Sequence, residues 1–201
     1  MSQMLSKLLQ IFAKAPVLGQ VKTRLAVNIG EQKARDIYQA LLASTVKNTH
    51  STAWQTQLWC APDTSNPYLQ SLGKEYAMQL QTQPKGGIGE RMLFALQAGL
   101  ARAEKVVLIG SDCPVITQAY ISAAFNALDK SDVVFGPVED GGYVLVGCKK
   151  VDEQMFTNVK WSCAQTLKQN VAAIEKVGLK YERLTTLWDI DTANDLRRWV
   201  E

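Results

Sequence analysis

Histidine is almost missing from this chain. The 201 residues hold one, His50, in a polar connection, so no convincing Ser-His or Cys-His nucleophile pair can be assembled. Cysteine is scarce and scattered. Cys60, Cys113, Cys148 and Cys163 form no Cys-x-x-Cys pair and have no histidine beside them, which argues against a zinc site and a disulfide framework and suits a reducing compartment. No apolar run approaches the length of a membrane span, and the first ten residues contain no signal-peptide core; the expectation is a cytoplasmic protein without a membrane partner. A large excess of one charge is lacking too. The net charge of +3 is mild and evenly spread, which excludes nucleic acid as the expected partner. Linkers, repeats and low-complexity stretches are missing as well, so residues 1–201 read as a single domain whose oligomeric state is left open.

What is present is ordinary in bulk, 47% hydrophobic and 20% charged, and informative in its order. Val106-Val107-Leu108-Ile109 reads as a strand buried on both faces, broken at once by Gly110-Ser111-Asp112 and by Pro114. Leu8 to Ala13 reads as the first buried strand, and strands are also expected at Trp54–Cys60, Tyr76–Gln81, Asp132–Gly136, Gly142–Gly147 and, at an edge, Leu179–Leu184. Between them lie helical patterns. One carries Ala34, Ile37, Tyr38, Leu41, Leu42 and Thr45; others carry Leu93, Leu96 and Leu100, or Ile121, Ala124, Phe125 and Leu128. Ser162 and Gln165 form a capping box before Leu167, Val171 and Ile174, and a last helix from Thr192 buries Leu196, Trp199 and Val200. Alternating strands and helices predict an α/β fold, a three-layer α/β/α sandwich of Rossmann-like character with a mostly parallel sheet. Too few residues separate the strands around Asp140-Gly141-Gly142 for a crossover, so the sheet is expected to be mixed.

The candidate chemistry gathers at strand ends, where open α/β sheets bind ligands. Lys14, Lys22 and Arg24 surround Gly19 just after the first strand, a set suited to a polyphosphate, with Ala13 at the strand's end. Neither a P-loop nor a Gly-x-Gly-x-x-Gly order is present. Gly86-Gly87-Ile88-Gly89 precedes Glu90 and Arg91, and Gly89 and Arg91 would meet a phosphate at a helix start. Asp112 offers a hard oxygen for Mg2+ or Mn2+, unless it merely caps the next helix. Asp191, in Asp189-Ile190-Asp191-Thr192, is its candidate partner, and helix capping accounts for it equally well. Asp140 is a candidate base or sugar-binding group, and Gly141, Gly142 and Tyr143 would surround a ligand; a tight hairpin turn explains the same residues.

Read together, the blocks resemble a known family. FAKAPVLGQVKTRL (12–25), GERM (89–92), VVLIGSDCP (106–114), GPVEDGGYVLVG (136–147), Trp161-Ser162 and DIDTANDL (189–196) follow the order seen in GT-A-fold transferases of the nucleotide-diphospho-sugar transferase superfamily. The nearest resemblance is to bacterial glycosyltransferases labelled radical-SAM/selenodomain-associated, or arsenosugar-type. It covers nearly the whole chain. It implies a nucleotide-binding N-terminal half with Lys14, Lys22 and Arg24 at the phosphates. It also implies Asp112 at metal or ribose, Asp140 to Tyr143 near the transferred group or acceptor, and Asp191 as a second metal ligand. One departure stands out: Gly87 occupies a position where the group commonly has aspartate.

These expectations favour transfer of a sugar from a nucleotide-sugar to a small-molecule acceptor, assisted by Mg2+ or Mn2+. The alternative is guanylyltransferase-like nucleotidyl transfer to a phosphorylated acceptor with release of pyrophosphate. A non-catalytic nucleotide binder on the same scaffold is the third reading.

Overall fold

A computed structural model describes residues 4–200, with the side chain of Val200 outside the described set. The sheet is built around β1 (Leu5–Lys14), in which Leu8, Leu9, Gln10 and Ile11 are all buried. Gln10 tolerates this position because its amide donates to the Ala95 carbonyl at 2.8 Å. Parallel neighbours are β2 (Gln55–Ala61) on one side and β4 (Ala103–Ile109) on the other. With β3 (Gln79–Thr82), β5 (Val133–Pro137), β6 (Tyr143–Cys148) and β7 (Tyr181–Arg183), the order is β3-β2-β1-β4-β6-β5-β7. Among the described residues only β6 runs against the rest, pairing antiparallel with both β4 and β5. The five residues between β5 and β6 permit a hairpin and nothing longer, so this reversal is dictated locally.

Helices cover both faces, giving the expected three layers. On one face α2 (Glu31–Thr49), α3 (Pro67–Glu75) and α5 (Gln118–Ala127) bury Tyr38, Leu42, Leu69, Ile121 and Phe125. On the other, α4 (Ile88–Leu100) and α6 (Thr166–Lys176) bury Met92, Leu96, Leu167, Val171 and Ile174. A third, small cluster of Leu25, Leu41 and Ile190 lies where α1 (Thr23–Ile29) meets α7 (Ala193–Val200), with Leu196 and Trp199 packed on it. No helix among the described residues is long and apolar enough to cross a membrane.

Several local expectations are corrected. Ser162 does not cap α6: it takes φ +56, and the helix begins at Thr166 without a side-chain cap. The buried stripe of α4 is Met92, Ala95, Leu96 and Gly99, with Leu93 and Leu100 at its flanks. The third strand starts at Gln79 rather than Tyr76, because Ala77 turns the backbone at φ +49. Helix α1 was not legible inside the loop that follows β1.

Candidate active site

Crossovers leave β1 toward β2 and return to β4, so strand order reverses between the carboxyl ends of β1 and β4, the place where such sheets bind ligands. A crevice of about 660 Å³ opens there. Ala13, Lys14, Lys22, Arg24, Arg91, Asp112, Asp140, Gly142, Tyr143 and Asp191 all line it. The cationic loop, the mid-chain acid and the glycine hairpin therefore share one cavity. Gly19, Gly89 and Gly141 stand behind the lining. Gly19 takes φ +71 in the loop. Gly89 leaves room for an indole, since a Cβ there would lie 2.6 Å from the Trp161 ring.

Charge balance inside the crevice is close. Lys22 is held at φ +47 with its side chain 5% exposed, and its ammonium lies 2.9 Å from Asp112 Oδ1 and 3.4 Å from Asp191 Oδ1. The same group donates to the Ile190 carbonyl. Arg24 sits 3.4 Å from the other Asp191 oxygen, and Lys14 donates to the Gln20 carbonyl at 3.0 Å. The backbone of Lys14 is clamped by Tyr38, whose hydroxyl accepts from its N–H at 2.7 Å and donates to its carbonyl at 3.1 Å. Burial pushes the Tyr38 hydroxyl up, so it remains a neutral donor. Neither aspartate is occupied as a helix cap. Thr117 caps α5, and Asp195 accepts from the N–H groups of Asp191 and Thr192 ahead of α7.

Asp112 and Asp191 converge on one cation, and both are hard oxygen donors, so their chemistry fits Mg2+ or Mn2+. Asp112 Oδ1 is shut off from solvent and faces the ammonium without hydrogen-bond alignment, which leaves it capacity for another ligand. No group of three or more metal-ligating side chains exists among the described residues. A cation held by these two carboxylates alone would need substrate phosphates and water to complete its shell.

Asp189, given no separate role in the sequence reading, also lines the crevice. Burial first, then the charges of Asp191, Asp140 and Asp112, push its carboxyl up to about 6, while Lys22 pulls the other way. An acid raised in this way costs the folded state stability as pH climbs from its ordinary value of 3.8 toward 6. Asp189→Asn is therefore expected to raise Tm at neutral pH, with the gain shrinking below about 6 and gone near 3.8; thermal unfolding across pH checks this. The neighbouring Asp140 accepts from Gly142 N–H at 2.8 Å, which fixes its carboxylate at the hairpin.

Two further groups escaped the sequence reading. Gln83 is buried, donates to the Ala13 and Trp59 carbonyls at 3.2 and 2.8 Å, and accepts from Arg91 at 2.8 Å, thereby aiming Arg91 along the crevice wall. Trp161 stacks on Phe156 with centroids 6.2 Å apart and meets the Tyr143 ring at 6.5 Å, forming an aromatic end. Three cysteines are buried and Cys163 is exposed; burial pushes the Cys113 thiol, next to Asp112, up to about 11.

Sheet order and crevice together define an α/β fold of the nucleotide-diphospho-sugar transferase superfamily. Within it, the chain belongs to the bacterial family described as "uncharacterized protein conserved in bacteria" (DUF2064), which matches residues 44–163. A Desulfovibrio desulfuricans G20 protein, provisionally named a nucleotide-diphospho-sugar transferase, is 27% identical with a TM-score of 0.85 over 94% of this chain and 84% of its own. The 4-diphosphocytidyl-2C-methyl-D-erythritol synthase of Anaerococcus prevotii DSM 20548 shares the fold at 14% identity and TM-score 0.61, covering 97% of this chain and 94% of its own. So does the glucosyl-3-phosphoglycerate synthase of Mycobacterium tuberculosis, solved with Mn2+, UDP and glucosyl-3-phosphoglycerate, at 10% identity and TM-score 0.58 over 98% and 77%. No curated protein sequence matches the chain.

Proposed function

We propose that this protein, a single domain over residues 1–201, is a cytoplasmic transferase that binds a nucleotide-sugar and passes the sugar to a small-molecule acceptor. One observation carries the reading: Lys14, Lys22 and Arg24 meet Asp112 and Asp191 in one crevice at the switch point of the sheet. The likeness to the Desulfovibrio protein supports it, and the arsenosugar-type group remains its proposed subfamily.

In this reading Ala13 and Arg91 line the nucleotide, Gly89 seats the Trp161 ring behind them, and the three loop cations neutralise the diphosphate. Asp112 and Asp191 hold Mg2+ or Mn2+, which when bound supplies further stabilisation of charge on the leaving diphosphate. Gly141, Gly142 and Tyr143 shape the acceptor side. An acceptor hydroxyl oxygen bonds to the anomeric carbon as the carbon–oxygen bond to the diphosphate breaks. The bond's electron pair leaves on the phosphate oxygen, and the hydroxyl proton passes to Asp140.

The test is calorimetry of nucleotides and nucleotide-sugars with and without Mn2+. Asp112→Asn is expected to abolish the Mn2+-dependent gain in nucleotide affinity; an unchanged gain removes Asp112 from that role. Product analysis then separates the chemistry. Free nucleoside diphosphate supports sugar transfer, whereas pyrophosphate supports nucleotidyl transfer, the second reading, whose fold is shared by the Anaerococcus synthase. Binding without turnover supports neither.

A further inference from the structure

Two parts of the crevice lining differ in charge. Its lining cations are Lys14, Lys22, Arg24 and Arg91, placed by the loop after β1 and by the Gln83 contact. A second part of the lining, the Asp140–Tyr143 hairpin and the segment 161–166, contains no lysine or arginine. Among the described residues, neither Asp140 nor Asp189 forms an ion pair, while Asp112 and Asp191 share Lys22 and Arg24. A nucleoside diphosphate carries about three negative charges and would draw those cations to itself. The acceptor then approaches a surface of unpaired carboxylates beside a bound anion. An anionic group placed beside Asp140 finds like charge and, within the hairpin and the segment 161–166, no basic partner, the repulsive element by which a site rejects wrong ligands. The lining beside it is apolar, with Trp161 and Tyr143, whose hydroxyl meets the Met92 sulfur at 4.0 Å.

We infer that the acceptor is a hydroxyl compound carrying no phosphate or carboxylate, neutral or cationic, with an apolar face that packs against Trp161. This rests on the sugar-transfer reading and narrows it, because a phosphorylated acceptor is refused.

The full-length protein is first titrated with GDP, UDP, CDP and ADP in the presence of Mg2+. Silence from all four ends the donor reading, and the acceptor inference falls with it. The protein saturated with the tightest of them is then probed by saturation-transfer NMR with glucosamine, phenyl β-glucoside and glucose 6-phosphate. Glucosamine and phenyl β-glucoside are expected to bind, and glucose 6-phosphate at least about tenfold more weakly, the discrimination like-charge contacts provide. Asp140→Asn/Asp189→Asn is expected to restore glucose 6-phosphate binding by about tenfold, a selective change that general loosening would not produce. Trp161→Leu, verified as folded by its thermal transition, is expected to weaken phenyl β-glucoside more than glucosamine. Glucose 6-phosphate binding as tightly as glucosamine overturns the inference while leaving nucleotide binding intact. So does silence from both glucosamine and phenyl β-glucoside.

Discussion

Lys22→Met is expected to bind Mn2+ at least about tenfold more tightly than the wild type when no nucleotide is present, and to bind nucleoside diphosphate at least about tenfold more weakly. The first effect follows from competition. A lysine ammonium 2.9 Å from Asp112 and 3.4 Å from Asp191 sits where a cation shared by those carboxylates must go. At such separations two unit charges interact by roughly 5–6 kcal/mol at an effective dielectric of about 20. Asp112 and Asp191 are 43% and 42% exposed, so solvent screening removes much of that. About 1.4 kcal/mol, a factor of ten, is what remains on a conservative view. The second effect follows because the ammonium, released by an arriving cation, is the group left to meet the phosphates. Methionine keeps the apolar stem, and both side chains bear the same left-handed backbone cost at φ +47, so the comparison isolates the charge. Electron paramagnetic resonance of free Mn2+ reads the first effect and calorimetry the second. Equal Mn2+ affinity in the two proteins would show that Lys22 does not guard the carboxylates. In the wild type, metal and nucleotide should accordingly bind far better together than apart.

Gly141→Ala is expected to destabilise the fold by about 3 kcal/mol, lowering Tm by roughly 6–12 °C for a domain of this size. Gly141 takes φ +87, a region that disfavours any side chain, and an added Cβ would lie 2.2 Å from the Ala164 carbonyl oxygen. The other near atoms, Ala164 C and Cα at 2.7 and 2.8 Å, are backbone, so no rotamer relieves the clash. Leu167 N–H donates to the Gly141 carbonyl at 3.1 Å, which makes this contact the seam between the hairpin and α6. Gly142→Ala is the control. Its nearest neighbour is the Asp140 carboxylate at 3.1 Å and its φ is not positive, so a much smaller loss is expected. Thermal unfolding followed by circular dichroism measures both, and equal losses would remove the special status of Gly141.

Sheet architecture was legible because burial is written into composition. Val106 to Ile109 are aliphatic without a break, and all four are buried in β4. The antiparallel β6 was legible from the shortness of the Asp140–Gly142 connection. What stayed hidden depends on partners far away in sequence. Lys22 meets Ile190 across 168 positions, and nothing near either residue announces the meeting. Asp189 gains its character from burial first and then from Asp191, Asp140 and Asp112, surroundings that exist only after folding. Trp161 fits because Gly89 has no side chain, and no periodicity links those two. Ser162 misled because the Ser-x-x-Gln spacing resembles a cap, whereas the hydroxyl that turns back on the backbone is that of Thr166, donating to Lys160 and Cys163 carbonyls.

The small cluster of Leu25, Leu41 and Ile190 has a thermodynamic meaning of its own. It fastens α1 to the stretch carrying Asp189 and Asp191 with far less apolar contact than either large core supplies. A stretch held by so small a cluster is expected to open at lower free energy than the sheet, which hydrogen exchange would read as weaker protection there. Ligand affinity at the rim of the cavity then depends on a local equilibrium as well as on the contacts made once that rim is closed.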